Sequence, residues 1–322
     1  MTDWRPSASL RTLQCRARIL ARIRAFFDDR GVLEVETPVL SHAAATDPHI
    51  ESFAIPGTRN GRTGYLSTSP EFAMKRLLAA GSGPIYQIGK VFRRGEAGRL
   101  HNPEFTLLEW YRPGFTLSQL MDEVEELLHA ALADQPGLAP ARRYTYAGLF
   151  RTHAGIDPFA AGVDALQAHV QALEVDVRGL DDTDPDAWRD LILTHQIEPA
   201  LAGEGAVFVH DYPASQAALA QIRPGRPEVA ERFELYLNGV ELANGFHELR
   251  DAAEQRRRFA RDLARRQAAG VEPVPVDEHL LEALRAGLPD CSGVALGVDR
   301  LVMLAAGVDS IAKVLSFDHA RA

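Results

Sequence analysis

The chain has 322 residues, a formal net charge of −9 and two cysteines, Cys15 and Cys291. That length supports one large core or two modest ones, and no run of about 18 apolar residues suggests a membrane span. Residues 1–9 lack the apolar stretch of a secretory signal. The distant cysteines, without metal-ligand spacing, favour free thiols and a cytoplasmic location. The excess of Asp and Glu, 44 against 35 Lys and Arg, argues against a large RNA as main partner, although an acidic surface also serves solubility.

The N-terminal third begins with a helical pattern. Its apolar residues recur at Ile19, Leu20, Ile23, Phe26 and Phe27. This spacing predicts a helix over 13–30 that ends at Gly31. A short extended run over 32–40 follows, and its Pro38 fits a strand edge or end because proline lacks an N–H. A second helix is expected over 71–80.

Two hairpins dominate the rest of the pattern. Strands are expected over 85–93 and 104–111, joined by a charged loop, and over 233–241 and 243–249, turned by Asn238-Gly239. Between them we expect a helix over 117–132, a connector over 133–143, a helical region up to about 203 and a strand from 206 to 209. An Arg-rich helix over 252–269 and a strand, glycine turn and helix start over 292–305 complete the chain. Mixed hairpins and helices predict an α+β fold with an antiparallel sheet.

Three separated segments carry residues suited to nucleotide chemistry. Arg93 ends a strand, where a guanidinium can bind a carboxylate and a phosphate together. Phe105, on the returning strand, offers a flat face for a purine. Glu234 and Glu241 can converge across their hairpin, and one or two carboxylates plus substrate phosphates suit Mg²⁺. Arg300 follows a glycine-containing strand at a helix start, where it can meet a terminal phosphate. Taken singly, each feature also fits an ordinary surface ion pair.

The order of these segments resembles the class II aminoacyl-tRNA synthetases. Segment 31–40 is similar to motif 1, 92–110 to motif 2 and 293–303 to motif 3. Within that class His-Asn-Pro-Glu-Phe at 101–105, Leu-Glu-Trp-Tyr at 108–111 and Glu-Leu-Ala-Asn-Gly-Phe-His-Glu-Leu at 241–249 resemble the lysyl enzymes. The resemblance, from about 11 to 315, implies one catalytic domain over 1–322, an antiparallel sheet flanked by helices, ATP and Mg²⁺ as cofactors, and a homodimer formed through motif 1.

The resemblance also implies a role for each matching residue. Arg93 would hold the α-phosphate and the amino-acid carboxylate, and Arg300 the γ-phosphate. Mg²⁺ would be carried by Glu234 and Glu241. The remaining ATP-binding positions would be Arg94, Gly95, Glu96, His101, Asn102, Phe105, Leu242 and Gly297. The amino-acid pocket would be formed by Ser69, Pro70, Glu71, Tyr111, Asn244, Glu248 and Ala295. In that pocket Glu71 would bind one amine, Glu248 and Tyr111 the side-chain ammonium, and Asn244 the carboxylate.

The acceptor follows from what precedes motif 1. A full lysyl-tRNA synthetase carries an anticodon-binding domain there, of roughly 100 residues, whereas here a single helix is expected and no anticodon-binding domain. This pattern resembles the truncated lysyl-tRNA synthetase paralogues that attach (R)-β-lysine to a lysine side chain of elongation factor P. The acceptor implied is therefore a protein. Ala295, where lysyl enzymes usually have glycine, adds a methyl group that could favour an amine on the β carbon over one on the α carbon.

Some alternatives remain open from the sequence. Motif 2 usually reads Phe-Arg-Asn-Glu, so Gly95 stands where a glutamate normally contacts adenine, and Glu96 substitutes only if the loop shifts by one residue. Arg94 competes with Arg93 as the phosphate ligand. A stand-alone enzyme that acylates tRNA is one alternative function, with the arginines at 256–258 as a phosphate-binding patch or a solvated helix face. A catalytically dead regulatory paralogue is the other. The number of Mg²⁺ ions stays undetermined.

Overall fold

The computed structural model describes residues 4–58, 61–135, 137–177 and 181–322. The first three residues of the N-terminal segment and one residue of the 133–143 connector therefore lie outside the described part. The chain forms two compact units. Unit 1 comprises Met1–Thr116, Glu126–Gln135 and Leu249–Ala322, and unit 2 comprises Leu117–Glu125 and Pro136–Glu248. The expectation of one catalytic domain is not tested by this division and stays a prediction.

Unit 1 contains helices and strands from both ends of the chain. Its helices are α1 (Leu10–Asp28), α2 (Glu71–Ala79), α8 (Ala252–Ala268), α9 (Glu278–Gly287) and α10 (Val298–Ala306). Its strands are β1 (Leu33–Glu34), β2 (Leu40–Ser41), β3 (Ala54–Ile55), β4 (Gly64–Leu66), β5 (Ile85–Phe92), β6 (Glu104–Pro113) and β12 (Cys291–Gly297). Helix α3 (Leu117–Ala131) is divided between the two units.

Helix α1 forms where the apolar spacing predicts it. The side chain of Ser9 accepts a hydrogen bond from the backbone N–H of Thr12 at 3.1 Å, which satisfies one of the helix's unpaired amides. Its inner face is buried, and the ring of Phe27 stacks on Tyr86 of β5 with centroids 4.4 Å apart. Gly31 follows with a positive φ of 63°, a conformation that glycine adopts without strain. The predicted end of the helix is thereby explained.

The first predicted hairpin forms the main sheet of unit 1. Strands β5 and β6 pair antiparallel from Ile85 opposite Tyr111 to Phe92 opposite Glu104, and β12 pairs antiparallel with the other edge of β6. Strand β1 joins β5 in parallel. A second, three-stranded sheet has the order β2-β4-β3. The sequence did not predict that sheet, because two- and three-residue strands are too short to show a period.

Unit 2 is built around the second hairpin. Its helices are α4 (Tyr146–His153), α5 (Val163–Ala172), α6 (Pro185–Ile192) and α7 (Glu198–Ala200), with a π-helical turn over Leu193–Ile197 between the last two. Its strands are β7 (Arg142–Thr145), β8 (Ala206–Pro213), β9 (Ile222–Arg223), β10 (Val229–Leu237) and β11 (Val240–His247). Strand β10 pairs antiparallel with β8, β9 and β11, whereas β7 joins β8 in parallel. The core of the unit is a buried cluster that includes Tyr146, Phe150, Trp188 and Tyr236.

The predicted α+β class with mainly antiparallel pairing is confirmed, with three differences in detail. The Asn238-Gly239 turn has positive φ at both residues, 51° and 75°, so the second strand resumes at Val240 and contains Glu241. The predicted connector over 133–143 runs into β7. Helix α9 was not predicted. Within the ranges that the structure describes, no helix combines the length and the apolar character needed to cross a bilayer.

Candidate active site

Arg93 lies where the sequence places it, directly after β5. Its side chain is 25% exposed, and its guanidinium carbon lies 5.0 Å from the centroid of the Phe105 ring. The backbone N–H of Arg93 donates to the carbonyl of Pro103 at 2.9 Å, which continues the pairing of the hairpin beyond the strand. A partly exposed guanidinium that lies over an aromatic ring just after a strand end is an arrangement suited to a phosphate or carboxylate.

The next three residues bear on the alternatives that the sequence leaves open. Arg94 is 62% exposed and pairs with Glu51 at 2.7 Å, so it is tied to a surface loop. Gly95 has a φ of 81°, in the left-handed region. This turn directs Glu96 back toward Arg93, with the carboxylate 3.4 Å from the guanidinium. The geometry favours Arg93 over Arg94 as an anion ligand. Glu96, rather than Gly95, supplies a carboxylate in this loop, and its expected contact with adenine stays a prediction.

Arg300 lies in the first turn of α10, after Gly297 in the capping position. One of its guanidinium nitrogens is 2.8 Å from Nε2 of His101, which therefore accepts the hydrogen bond. The partial loss of solvent around the ring, together with the Arg300 charge, lowers the pKa of His101. His101 is therefore held in its neutral form beside the arginine. The pair places a cation and a neutral acceptor at one end of the motif 2 loop.

The turn that carries Arg300 is anchored by its neighbour Asp299. This buried carboxylate accepts hydrogen bonds from Arg16 of α1 and from the backbone N–H of Thr106, the latter at 2.7 Å. Asn102 has a comparable anchoring set: its amide nitrogen donates to the carbonyl of Glu104 at 2.6 Å and its oxygen accepts from the N–H of His319 at 3.1 Å. Asn102 thus ties the motif 2 loop to the C-terminal segment. Its expected role in binding ATP stays a prediction.

A buried acidic cluster is the most distinctive feature of unit 1. Glu109 of β6 is 2% exposed, and its two carboxylate oxygens accept hydrogen bonds from Ser69 at 2.7 Å and from Tyr111 at 2.6 Å. Glu71 begins α2 and pairs with Lys75 one turn later at 2.6 Å. Pro70 is buried at the capping position of the same helix. The predicted pocket residues 69, 70, 71 and 111 are therefore brought together in one cluster.

Burial changes the acid–base behaviour of this cluster. Desolvation, followed by the negative charge of Glu71, raises the pKa of Glu109 to about 7, while Tyr111, Ser69 and Lys75 act in the opposite direction. The ionised form of a buried carboxylate is strongly stabilised when a cation binds beside it. The cluster is therefore suited to bind an amine in its ammonium form.

Ala295 lies against this cluster through the sheet register. On β12 it is the direct antiparallel partner of Glu109, and Gly293 is the partner of Tyr111. Directly opposed residues on an antiparallel pair hold their Cβ atoms about 5 Å apart on the same face. The methyl group of Ala295 therefore stands beside Glu109, a neighbour that the sequence interpretation did not name. Its effect on the substrate stays a prediction.

Glu234 in unit 2 is the centre of a hydrogen-bonded network. Its carboxylate accepts hydrogen bonds from the hydroxyls of Tyr212 at 2.7 Å and Tyr236 at 2.6 Å, and from the guanidinium of Arg232. Arg232 also donates to Oδ1 of Asn244 at 3.2 Å and lies over the Tyr212 ring at 4.5 Å. Burial and the Glu234 charge raise the pKa values of both tyrosines well above the ordinary range.

A β-bulge brings the other predicted residues of this hairpin onto the same face. Tyr236 pairs with Glu241 but Leu235 pairs with Ala243, so Leu242 is the extra residue. Because of this extra residue Asn244, rather than Ala243, lies opposite Glu234. Glu234 and Glu241 both contribute negative charge at Tyr236. Two carboxylates on one face fit Mg²⁺, which takes one or two carboxylates and completes its shell with phosphate oxygens and water.

The remaining predicted residues are placed as follows. Glu248 is 1% exposed just after β11, and its carbonyl accepts from the side chain of Gln221 at 3.0 Å. Leu242 is buried. The arginines at 256–258 are engaged in ion pairs: Arg256 with Glu278 at 2.5 Å, and Arg257 and Arg258 with Glu254 at 2.9 Å each. This pairing disfavours a phosphate-binding patch. The solvated helix face fits Arg256 and Arg257, whereas the side chain of Arg258 is buried.

Sequence reasoning missed three residues that the geometry makes prominent: Glu109, Lys75 and Arg232. Each has a signal that was available. Glu109 and Arg232 stand two residues before Tyr111 and Glu234, and residues two apart on a strand share a face. Lys75 stands four residues after Glu71, which is the spacing of a helical ion pair. None of the three was singled out, because an isolated charged residue in a strand or helix is ordinarily a surface residue.

Similarity to known proteins identifies the family of this chain. The model of the family described as tRNA synthetases class II (D, K and N) matches residues 1–321. The chain belongs to the class II tRNA synthetase family. Proteins from Salmonella gallinarum, Salmonella paratyphi B and Salmonella choleraesuis are each 51% identical to it over 323 residues, covering 99% of this chain and 98% of theirs. Each of them is named elongation factor P–(R)-β-lysine ligase. The resemblance to class II synthetases inferred from motif order is thereby confirmed.

Proposed function

We propose that this class II synthetase-like protein is an ATP-dependent ligase that activates (R)-β-lysine as an adenylate and transfers it to a lysine side chain of elongation factor P. The observation that carries the proposal is the near end-to-end identity of 51% with proteins of that name. The buried acidic cluster at Glu71 and Glu109 supports it, since a diamino acid needs carboxylates for its ammonium groups. We place the protein in the cytoplasm, where its acceptor would be found.

The residues divide between activation and binding. The carboxylate of β-lysine attacks the α-phosphorus of ATP, the bond from that phosphorus to the oxygen bridging to the β-phosphate breaks, and pyrophosphate leaves with the bonding electrons. Because both reactants are anions, cations must neutralise the charge that develops. Arg93 would bind the α-phosphate and Arg300 the γ-phosphate, with His101, Glu96, Phe105 and Gly297 around the nucleotide. Mg²⁺, when bound, would be held by Glu234 and Glu241 and would supply further positive charge to the phosphates. The nucleophile is already ionised, so this step needs no general base.

The second step transfers the acyl group. The neutral amine of the acceptor lysine attacks the acyl carbon of the adenylate, the bond from that carbon to the phosphate oxygen breaks, and AMP leaves with the bonding electrons. The attacking nitrogen releases one proton to solvent as the amide forms. In unit 1, Glu71 and Glu109 would bind an ammonium group of the substrate. The roles that the family resemblance implies for Tyr111, Glu248 and Asn244 are retained as predictions.

A homodimer is part of the same proposal. Leu33, Val39 and Leu40 of the motif 1 segment are 57%, 41% and 46% exposed. Large apolar side chains that stay exposed within one short segment are candidates for contact with another protein. We propose that this segment contacts a second copy of the chain.

ATP–pyrophosphate exchange tests the activation step. With (R)-β-lysine we expect exchange that saturates with substrate and exceeds the exchange seen with α-lysine. A protein that exchanges with neither amino acid would be the catalytically dead paralogue instead. Exchange with α-lysine alone would indicate a lysyl-tRNA synthetase-like enzyme.

The pocket should respond to pH. Below pH about 7 Glu109 is protonated in the free protein and offers no charge to an ammonium, so kcat/KM for β-lysine should fall about ten-fold per pH unit below that value. The raised pKa means that the charged form, and hence binding, is gained as pH rises through 7. Steady-state exchange between pH 5.5 and 8.5 measures this. In Glu109→Gln the slope should disappear, and an unchanged slope would show that another group titrates.

Ala295 should influence which amine is accepted. Removing its methyl in Ala295→Gly widens the space beside Glu109, and we expect the ratio of kcat/KM for α-lysine to that for β-lysine to rise about ten-fold, the usual effect of one methyl group in a pocket. Exchange assays with both amino acids on the parent and the variant give this ratio. Gly293→Ala, the neighbouring inward position opposite Tyr111, is the matched control. Unchanged selectivity in Ala295→Gly would contradict the role.

A further inference from the structure

Lys75 is the unexpected member of the acidic cluster in unit 1. It lies in α2 with a side chain 2% exposed, and its Nζ is 2.6 Å from Oε1 of Glu71, itself 15% exposed. A buried ammonium is expensive unless it is paired. The buried ammonium of Lys75 therefore neutralises the charge of Glu71, a carboxylate that was expected to bind an ammonium group of the substrate.

Counting formal charges in this cluster gives a simple result. With both carboxylates ionised, Glu71 and Glu109 contribute two negative charges and Lys75 contributes one positive charge, which leaves one negative charge. Ser69 and Tyr111 are neutral donors to Glu109. The cross-strand neighbours of Glu109 are also neutral, Gln87 on β5 and Ala295 on β12.

We propose that Lys75 is a positioning and specificity-determining residue that sets the charge of this cluster, so that it binds a single ammonium group of the substrate. The inference rests on the proposed function and adds to it an explanation of why a lysine lies in an acidic cluster. Lys75 fixes the Glu71 carboxylate by the ion pair along α2 and offsets its charge. The remaining negative charge, on Glu109, is the one that a substrate ammonium neutralises.

The acid–base behaviour of Glu109 agrees with this assignment. Glu71 raises its pKa and Lys75 lowers it. Without Lys75 the two carboxylates would repel one another with no internal cation, and Glu109 would hold its proton to higher pH. Lys75 therefore keeps the cluster able to bind an ammonium near neutral pH.

A pair of variants separates charge balance from simple packing. Glu71→Gln leaves Lys75 and Glu109, with no net charge, and should raise KM for β-lysine about a hundred-fold. Adding Lys75→Gln restores one net negative charge and gives two amides that can hydrogen-bond. The double variant should recover about ten-fold of that loss, the effect of roughly one pKa unit of charge interaction. KM for ATP should stay at the parental value in both variants.

The controls decide between the possible results. Lys75→Arg keeps the charge and should retain the parental pH profile for β-lysine, whereas Lys75→Gln alone should move the rise in kcat/KM to higher pH. A double variant that binds β-lysine no better than Glu71→Gln, or that also loses ATP binding, would overturn the proposal. If charge balance is what Lys75 provides, two glutamines at positions 71 and 75 must restore part of the binding. A parent protein without β-lysine exchange would instead refute the proposed function.

Discussion

Replacing Arg93 with alanine is expected to lower the rate of ATP–pyrophosphate exchange about a hundred- to a thousand-fold, the usual loss when one charge-stabilising donor is removed from an active site. The guanidinium of Arg93 is 25% exposed, lies over the Phe105 ring and is 3.4 Å from the carboxylate of Glu96. In the proposed mechanism this arginine would stabilise the charge that develops at the α-phosphate and align the attacking carboxylate. Single-turnover measurement of adenylate formation isolates this step from product release.

Arg94 is the matched control for that experiment. It is the next residue, has the same side chain, and is 62% exposed in a pair with Glu51. Arg94→Ala should change exchange by less than about five-fold, since exposed ion pairs contribute little. A larger loss in Arg94→Ala than in Arg93→Ala would show that Arg94 is the phosphate ligand and that the loop geometry was misjudged.

Replacing Arg232 with alanine should produce the largest loss of stability, about 3–5 kcal/mol, because it removes the cationic partner of a buried carboxylate. Glu234 is 8% exposed and the Arg232 side chain is 17% exposed. Without the guanidinium, Glu234 would keep only the two tyrosine hydroxyls, and Asn244 would lose a donor. Urea denaturation of the parent and the variant measures the difference in free energy of unfolding.

Two further variants make the Arg232 result specific. Arg142 belongs to the same unit, is 60% exposed and pairs with Glu204, so Arg142→Ala should cost less than about 1 kcal/mol. Adding Glu234→Gln to Arg232→Ala removes the unpaired charge and should restore part of the lost stability. Equal losses in Arg232→Ala and Arg142→Ala would contradict the importance given to the buried network.

Most of the fold was predictable because its long elements carry clear periods. Helix α1 and the β5–β6 hairpin were predicted from apolar spacing within a few residues of their bounds. The short strands β2, β3 and β4 were missed because two or three residues cannot display alternation. The beginning of β11 was predicted at residue 243, but the strand begins at Val240 because the Asn238-Gly239 turn contains only two residues.

The candidate site shows a similar division between motif and geometry. Motif order was enough to select Arg93 and Arg300, since their sequence contexts are distinctive. Residues that act through burial were not visible: the raised pKa of Glu109 comes from desolvation beside Glu71, which only the folded chain produces. The bulge at Leu242 that brings Asn244 onto the face of Glu234 is likewise a property of strand pairing, which sequence spacing alone does not determine.

The central claim, that the acyl acceptor is a protein, is tested most directly by acyl transfer. Purified protein is incubated with ATP and labelled (R)-β-lysine, and with either elongation factor P or bulk tRNA. We expect one β-lysyl group to appear on a lysine side chain of elongation factor P, identified by mass spectrometry of its peptides, and no label on tRNA. Label on tRNA, with elongation factor P unmodified, would contradict the account.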